Sequence, residues 1–304
     1  MTTQSRITLA DEVTAALKNG QPVVALESTL LSHGLPPGRN LEVARRLERT
    51  VRDAGATPAT IAVLDGRPLV GLSSAELERI CAADADLDKL SLRDLGAAIG
   101  LGRSGATTVA STASLAAAVG IGVFATGGVG GVHLNASVTW DVSADLGVLA
   151  KVPTLVVCSG VKSVLDIAAT LEVLETNSVP VLGYRTDDFP AFYLRSSGLP
   201  VPWRVEDAAQ AAAVVAAHRS QASSGVLLAN PIPEESEMDR ELHDKLLTDG
   251  LELLRTKGIH GSEVTPALLE HFHTASGGVS LDANEALVLS NAKLASEVAV
   301  ELAS

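Results

Sequence analysis

Residues 104–140 read SGATTVASTASLAAAVGIGVFATGGVGGVHLNASVTW and contain no Asp, Glu, Lys or Arg. A stretch of that length is long enough to cross a bilayer. Its internal punctuation argues against a membrane helix. SGATTVASTASLAAAVG predicts an Ala-rich helix capped by Thr and Ser, and IGVFAT predicts a short buried strand. GGVGGVH predicts a loop whose free peptide groups lipid would leave unsatisfied. A helix, a wholly apolar strand and a polar-backbone loop in that order form one unit of an α/β fold, with the strand buried on both faces.

The same alternation extends outward in both directions. PVVALES from Pro22, TIAVLDG from Thr60, TLVVCSG from Thr154, VPVLGY from Val179 and GVLLANP from Gly225 are apolar runs that end in Gly, Pro or a polar residue. Between them, NLEVARRLERTVRDAG places Leu41, Val43, Ala44, Leu47 and Val51 at helical spacing before a Gly stop. SSAELERICAADADLDKL, SVLDIAATLEVLETN and EDAAQAAAVVAAHRS predict further helices, and the last quarter is mostly helical, from about Met238 to Lys257 and Ser280 to Leu302. No low-complexity linker or repeat separates two halves. The expected fold is therefore one α/β domain over residues 1–304, a three-layer α/β/α sandwich around a central, mostly buried sheet.

The formal charge of −13 excludes a nucleic-acid-binding surface built on net basicity. An aromatic content of 3% leaves little on which to stack bases. Cys81 and Cys158 form no CxxC, so neither a zinc ribbon nor a disulfide framework is indicated. The N-terminal MTTQSRITLADEV lacks the basic start and apolar core of a secretory signal, and together these features predict a cytoplasmic protein with no membrane partner.

In open α/β sheets, ligands bind at the carboxyl ends of the strands. Glu27-Ser28-Thr29, Thr126-Gly127-Gly128, Ser159-Gly160-Val161-Lys162 and Asn230-Pro231 fall there. Glu27 is either an acid whose pKa burial raises or a charge leaving the sheet for solvent. Lys162 is either an amine freed for Schiff-base chemistry by an apolar pocket or a surface lysine closing a turn. GATTVASTASL offers a helix start, with Thr108 and Val109, that suits either a phosphate or ordinary capping. Asp141 and Asp145 of TWDVSADL share a face if the segment is helical, with Ser143 as its cap. Asp141 suits an oxygen-ligand site for Mn²⁺ or Mg²⁺, although carboxylates near a helix start also satisfy the macrodipole. His133 either hydrogen-bonds a base or closes the glycine turn, and Asn284 either reads an amide edge or is an ordinary Asn near a helix start. GGVGGVH has His133 where a dinucleotide fingerprint needs its third Gly, and SGVKS has Val161 where a Walker loop needs Gly.

Taken together, ALESTLLSHGLP, KLSLRDL, GATTVASTASLAAAVGIGVFATGGVGGVH, WDVSADL, VVCSGVKSVLDIAATLEVLET, VPVLGY, ANPIP and SLDANEALVLSNAKLASEVA resemble the pseudouridine-5'-phosphate glycosidase family, also called indigoidine synthase A-like. The resemblance covers nearly the whole chain. It implies a homotrimeric, Mn²⁺-dependent α/β/α enzyme that reversibly cleaves pseudouridine 5'-phosphate to uracil and ribose 5-phosphate. It also implies Glu27 as proton donor, Lys162 as covalent nucleophile and Asp141 as metal ligand. Ser143, Ala144, Asp145, Lys89 and Val109 match substrate contacts, with Thr108 beside them, and His133 and Asn284 match polar pocket positions.

The residues suit that chemistry. Uracil joined through C5 is a poor carbanion leaving group, so two glycosidase carboxylates would not suffice. An acid that opens the ribose by protonating O4', followed by an amine that adds at C1', meets the requirement. Two alternatives belong to other classes. A ribokinase-like sugar kinase would need a catalytic Asp beside its glycine-rich anion hole, and GGVGGVH has none beside it. A ribose-phosphate-binding protein without activity would keep the pocket but release no uracil.

Overall fold

Residues 7–162, 165–259, 261 and 264–304 are described by the structure, a computed structural model. In chain order the first third forms β1 (Thr8–Leu9), α1 (Asp11–Lys18), β2 (Val23–Leu26), α2 (Thr29–His33), α3 (Arg39–Asp53), β3 (Thr57–Leu64), β4 (Arg67–Val70), α4 (Ser74–Cys81), β5 (Asp88–Leu90) and α5 (Leu92–Gly100). The middle forms β6 (Gly105–Thr107), α6 (Val109–Ala118), β7 (Val123–Ala125), β8 (Val132–His133), α7 (Ala136–Thr139), α8 (Ala144–Leu149), β9 (Leu155–Cys158), β10 (Leu165–Asp166) and α9 (Ile167–Thr176). The remainder forms β11 (Val181–Tyr184), β12 (Trp203–Val205), α10 (Ala208–Arg219), β13 (Val226–Ala229), a 3₁₀ turn at Glu234–Ser236, α11 (Arg240–Lys257), α12 (Val264–Ala275) and α13 (Val279–Ala303).

All six apolar runs become strands, and they pair in parallel in the order β3-β2-β7-β9-β13-β11, with β12 at the edge. Their continuous hydrophobicity follows from cover on both faces. In β2, Val24 and Leu26 pack with Val43 and Leu47 of α3 and Leu287 of α13. Val23 and Ala25 of the same strand pack with Val13 of α1 and Ala113 of α6 on the opposite face. That period-two division produces the three layers. The short β4 and β6 lie antiparallel to β3, and β8 and β10 form a separate two-stranded ribbon.

Three expectations are corrected. The helix expected over SSAELERICAADADLDKL ends at Cys81, where Ala82 turns extended. Its start is fixed by a capping box between Ser73 and Glu76, but residues 82–84 and 86 are exposed and offer no apolar stripe to bury. Asp88–Leu90 instead becomes β5, paired with β6. The Ala-rich helix begins only at Val109, because Gly105–Thr107 is taken into the sheet as β6. The helix expected from Ser163 starts at Ile167, where the Asp166 side chain accepts the Ala169 N–H and caps it. Ser163 and Val164 lie outside the described residues. The uncharged stretch 104–140 is divided among strand, helix and loop. No helix among the described residues is long and apolar enough to cross a membrane.

From β2 the chain moves to β3 on one side, while β7 occupies the other side of β2 and leads on to β9. The direction of winding thus reverses between β2 and β7. Such a switch point opens a crevice at the carboxyl ends of the strands.

Candidate active site

Glu27 stands at that crevice, in the junction between β2 and α2, with 8% of its surface exposed. The Thr126 hydroxyl, at the end of β7, donates a hydrogen bond to Glu27 Oε1. Burial pushes the Glu27 carboxyl above its ordinary value, with Asp145 adding to the rise. Lys162, the Thr126 hydrogen bond and Lys89 pull the other way without reversing it. Glu27, Lys89, Lys162 and Asn284 line one pocket with Gly127 and Gly128, and Thr265, Pro266 and Leu269 of α12 close it from above. Both amide atoms of Asn284, and the Thr29 hydroxyl beside Glu27, are buried without a hydrogen-bond partner among the described residues. Buried polar atoms left in that state call for a ligand or water.

Lys162 reaches the pocket because the chain turns sharply after β9. Gly160 has φ +82°, and a Cβ there would lie 2.0 Å from the Pro190 carbonyl oxygen, so only glycine fits. The turn is tied back to the glycine loop, with Val129 N–H donating to Gly160 O at 3.1 Å and Lys162 N–H to Val129 O at 3.3 Å.

Lys89 owes its position to β5. Pairing with β6 sets Lys89 opposite Ala106 and Leu90 opposite Thr107, so the lysine lies beside the start of α6. Thr108 is the N-cap in extended conformation, its N–H bonded to Leu90 O at 3.1 Å, and Val109 opens the helix with its side chain buried. Thr107, the hydroxyl residue just before Thr108, is spent inside the fold. Its hydroxyl donates to Ile61 O at 2.7 Å, and its N–H to Ser28 Oγ at 2.8 Å.

Asp141 and Asp145 do not share a helical face. Asp141 precedes α8 and lies on a hairpin where Val132 bridges Val142 and His133 N–H donates to Asp141 O at 3.0 Å. His133 Nδ1 is 3.7 Å from Asp141 Oδ2. Burial holds the His133 imidazole below its ordinary pKa against the pull of Asp141, with Lys89 and Lys162 lowering it further. The hairpin therefore shares one electrostatic environment with the pocket lysines. Ser143 caps α8 by accepting the Asp145 N–H at 3.3 Å, and Ala144 is the first residue of that helix. Asp145 is an anchor inside the fold. Its carboxylate accepts the N–H of Ala110 at 2.9 Å and of Gly130 at 2.8 Å, joining the start of α6 to the glycine loop. A Cβ on Gly130 would fall 2.2 Å from Ser143 Oγ, which explains the glycine.

Three site features escaped the sequence reading: the Thr126 hydroxyl on Glu27, the α12 cover, and Asn291 on α13. Asn291 is fully buried and joins the ends of β7, β9 and β13. Its signal was a polar Ser290-Asn291 pair within the apolar run LVLSNAKLA, since an amide on a core face must find partners. The cysteines take no part. Burial pushes the Cys158 thiol up to about 12 and the Cys81 thiol up to about 11, far from a nucleophilic thiolate.

A family profile described as Indigoidine synthase A like protein matches residues 12–301. A pseudouridine-5'-phosphate glycosidase of Salinispora tropica is 53% identical over 295 residues, spanning 96% of this chain and 91% of the relative. One of Herpetosiphon aurantiacus is 52% identical over 98% of both chains. Among solved structures, the prealnumycin C-glycosynthase AlnA in complex with ribulose 5-phosphate superimposes with a TM-score of 0.90 at 40% identity, covering 98% of this chain and 97% of its own. An indigoidine synthase A-like protein of Thermotoga maritima gives 0.88 at 36% identity, with the same coverage. A buried carboxyl, two lysines and a buried amide at the switch point of this sheet thus occur in a chain that belongs to the pseudouridine-5'-phosphate glycosidase family, the indigoidine synthase A-like enzymes.

Proposed function

We propose that the protein cleaves the C1'–C5 bond of pseudouridine 5'-phosphate, reversibly, to give uracil and ribose 5-phosphate. The observation that carries this reading is the meeting in one pocket of Glu27, Lys162 and the Asn284 amide, which has no partner among the described residues. A carboxyl with a raised pKa keeps its proton nearer neutrality and suits an acid. Glu27 protonates O4' as the C1'–O4' bond breaks, and electrons from uracil N1, which loses its proton, leave an electrophilic C1'. The Lys162 amine adds at C1'. Protonation of uracil C5 then lets the C1'–C5 bond break: the bonding pair returns through the ring to N1, which regains its proton, and the lysine nitrogen lone pair forms the iminium. Water hydrolyses the iminium, which restores the amine and releases the open-chain aldehyde of ribose 5-phosphate. One water is consumed overall.

Asn284 would pair with the donor and acceptor edge of uracil. Lys89 and the remaining N–H groups at the α6 start would hold the phosphate; the Ala110 N–H is already taken by Asp145. His133, Ser143 and Ala144 would border the ribose side, with Thr108 and Val109 at the helix start, although none of the five lines the pocket that holds Glu27 and Lys162.

Asp141 fits a hard divalent cation that keeps most of its waters. It offers one carboxylate, about one-third exposed, and among the described residues no group of three His, Cys, Asp or Glu forms a protein cage. Mn²⁺ bound there would neutralise negative charge near the substrate and order water. A homotrimer belongs to the same proposal, with the exposed Val138, Trp140 and Trp203 as surface that contacts between copies would cover. So does a reducing, cytoplasmic setting for the two buried free cysteines.

The test is uracil release from pseudouridine 5'-phosphate with Mn²⁺, together with borohydride trapping in ribose 5-phosphate. A reduced pentose phosphate should be found on the Lys162 peptide, and Lys162→Arg should lose both adduct and turnover. No uracil, or label elsewhere with an active Lys162→Arg, overturns the reading.

A further inference from the structure

Asn291 does not line the pocket; it lies in the fold beneath it. Its Nδ2 donates to the Thr126 carbonyl at 2.9 Å and to Ser159 Oγ at 3.1 Å, and its Oδ1 accepts from Asn230 Nδ2 at 2.9 Å. One amide thereby joins the ends of β7, β9 and β13. Ser159 is held from a second side, its N–H donating to Gly127 O at 2.9 Å. An apolar side chain would fill this position at less desolvation cost, so the amide needs a reason beyond packing. The reason lies at the other end of Thr126. The carbonyl held by Asn291 sets the peptide plane from which the Thr126 side chain projects, and the hydroxyl of that side chain donates to Glu27 Oε1.

We propose that Asn291 is a positioning residue for the acid step. By holding the Thr126 carbonyl it keeps the Thr126 hydroxyl on Oε1 of Glu27 and leaves Oε2 as the oxygen that delivers the proton. The proposal rests on the glycosidase reading and adds to it a residue that touches no reacting atom. It predicts a loss in kcat rather than in KM, because substrate contacts are unchanged while the acid is misplaced. A misplacement of this kind costs about 10²-fold.

A purely structural role would lower the rate without changing its pH dependence, so the pH profile separates the two. The charged groups acting on Glu27 are Lys162, Lys89 and Asp145, His33 of α2 is a further titratable side chain lining the same pocket, and the Thr126 hydrogen bond lowers the Glu27 pKa alongside the lysines. Without that bond burial acts with less opposition, and the limb on which kcat falls as Glu27 loses its proton moves to higher pH.

The experiment measures kcat and KM for uracil release across pH in wild type, Asn291→Ala, the near-isosteric Asn291→Leu, Thr126→Val, Thr126→Ser and the Asn291→Ala/Thr126→Val double variant. The expected result is an upward shift of the limb, equal for Asn291→Ala, Asn291→Leu and Thr126→Val, with no further shift in the double variant. Thr126→Ser, which keeps the hydroxyl, should keep the wild-type limb. If Asn291→Ala does not fold, Asn291→Leu and Thr126→Val carry the comparison. Slower Asn291 variants with an unmoved limb, or shifts that add in the double variant, overturn the proposal while the glycosidase reading stands. A wild-type chain that releases no uracil overturns the reading itself.

Discussion

The floor of the pocket and the hairpin at its side both carry acidic residues, and the two regions treat them differently. On the floor, Glu27 is 8% exposed, bonded to a hydroxyl, and held at strand ends that α13 joins from behind. On the hairpin, the Asp141 side chain is 32% exposed and its charged partner, His133, is 3.7 Å away. Burial disfavours the charged form of a carboxyl and gives it a proton to donate. Access to water preserves the charge and leaves room for a hydrated cation. The same functional group thus stands in two settings, and depth sets which of its forms each setting favours.

That contrast is most exposed to test at Glu27. Glu27→Gln should fold and lose about 10²- to 10⁴-fold in kcat. Its stability should also depart from wild type in a pH-dependent way. The folded pKa of Glu27 is raised, so the stability it contributes is fully present below its unfolded value of about 4.5 and is lost as pH rises through the folded value. The Tm difference between Gln and wild type should therefore move in favour of Gln as pH rises above about 4.5. A flat difference with a near-normal rate would make Glu27 an ordinary strand-end charge.

A smaller effect is expected from substitution on the hairpin. Chelation should silence the enzyme and Mn²⁺ restore it, with Asp141→Asn needing at least about 10-fold more metal, since even outer partners of a metal site cost that much. Normal turnover by metal-free protein would place Asp141 outside the chemistry. The smallest effect separates the two aspartates of TWDVSADL. Asp145→Asn should cost about 1–3 kcal/mol of folding stability by placing an amide against the Ala110 or Gly130 N–H, and its Mn²⁺ dependence should stay that of wild type. A changed metal requirement in Asp145→Asn would bring both carboxylates into the cation site.

Much of this architecture was legible because the parallel strands are buried on both faces and read as unbroken apolar runs. No alternation of polar and apolar residues was needed for that reading; the continuous hydrophobicity of Leu155, Val156 and Val157 sufficed. The elements that escaped are those whose order comes from partners far along the chain. Asp88–Leu90 has no periodicity of its own and becomes a strand only because Gly105–Thr107 lies beside it. Glu27, Lys162 and Asp141 stand out as polar residues at strand ends or after glycine loops, so their positions were readable. The second use of Asp145 was hidden, because spacing cannot tell a carboxylate that faces a ligand from one that accepts two backbone N–H groups. Asn291 was hidden for the same reason, its partners being Thr126, Ser159 and Asn230.

The packing of α13 also has a consequence for synthesis. That helix lies against β2, β7 and β9, and it contributes both Asn284 to the pocket and Asn291 beneath it. A ribosome makes Glu27 and Lys162 well before residues 284 and 291. Until α13 docks, the strand ends lack their tie and the pocket lacks one wall. Contacts this distant in sequence form late, because the entropy of closing the intervening chain must be met first. A chain that still lacks α13 therefore carries Glu27 and Lys162 without the helix that ties the strand ends and completes the pocket wall.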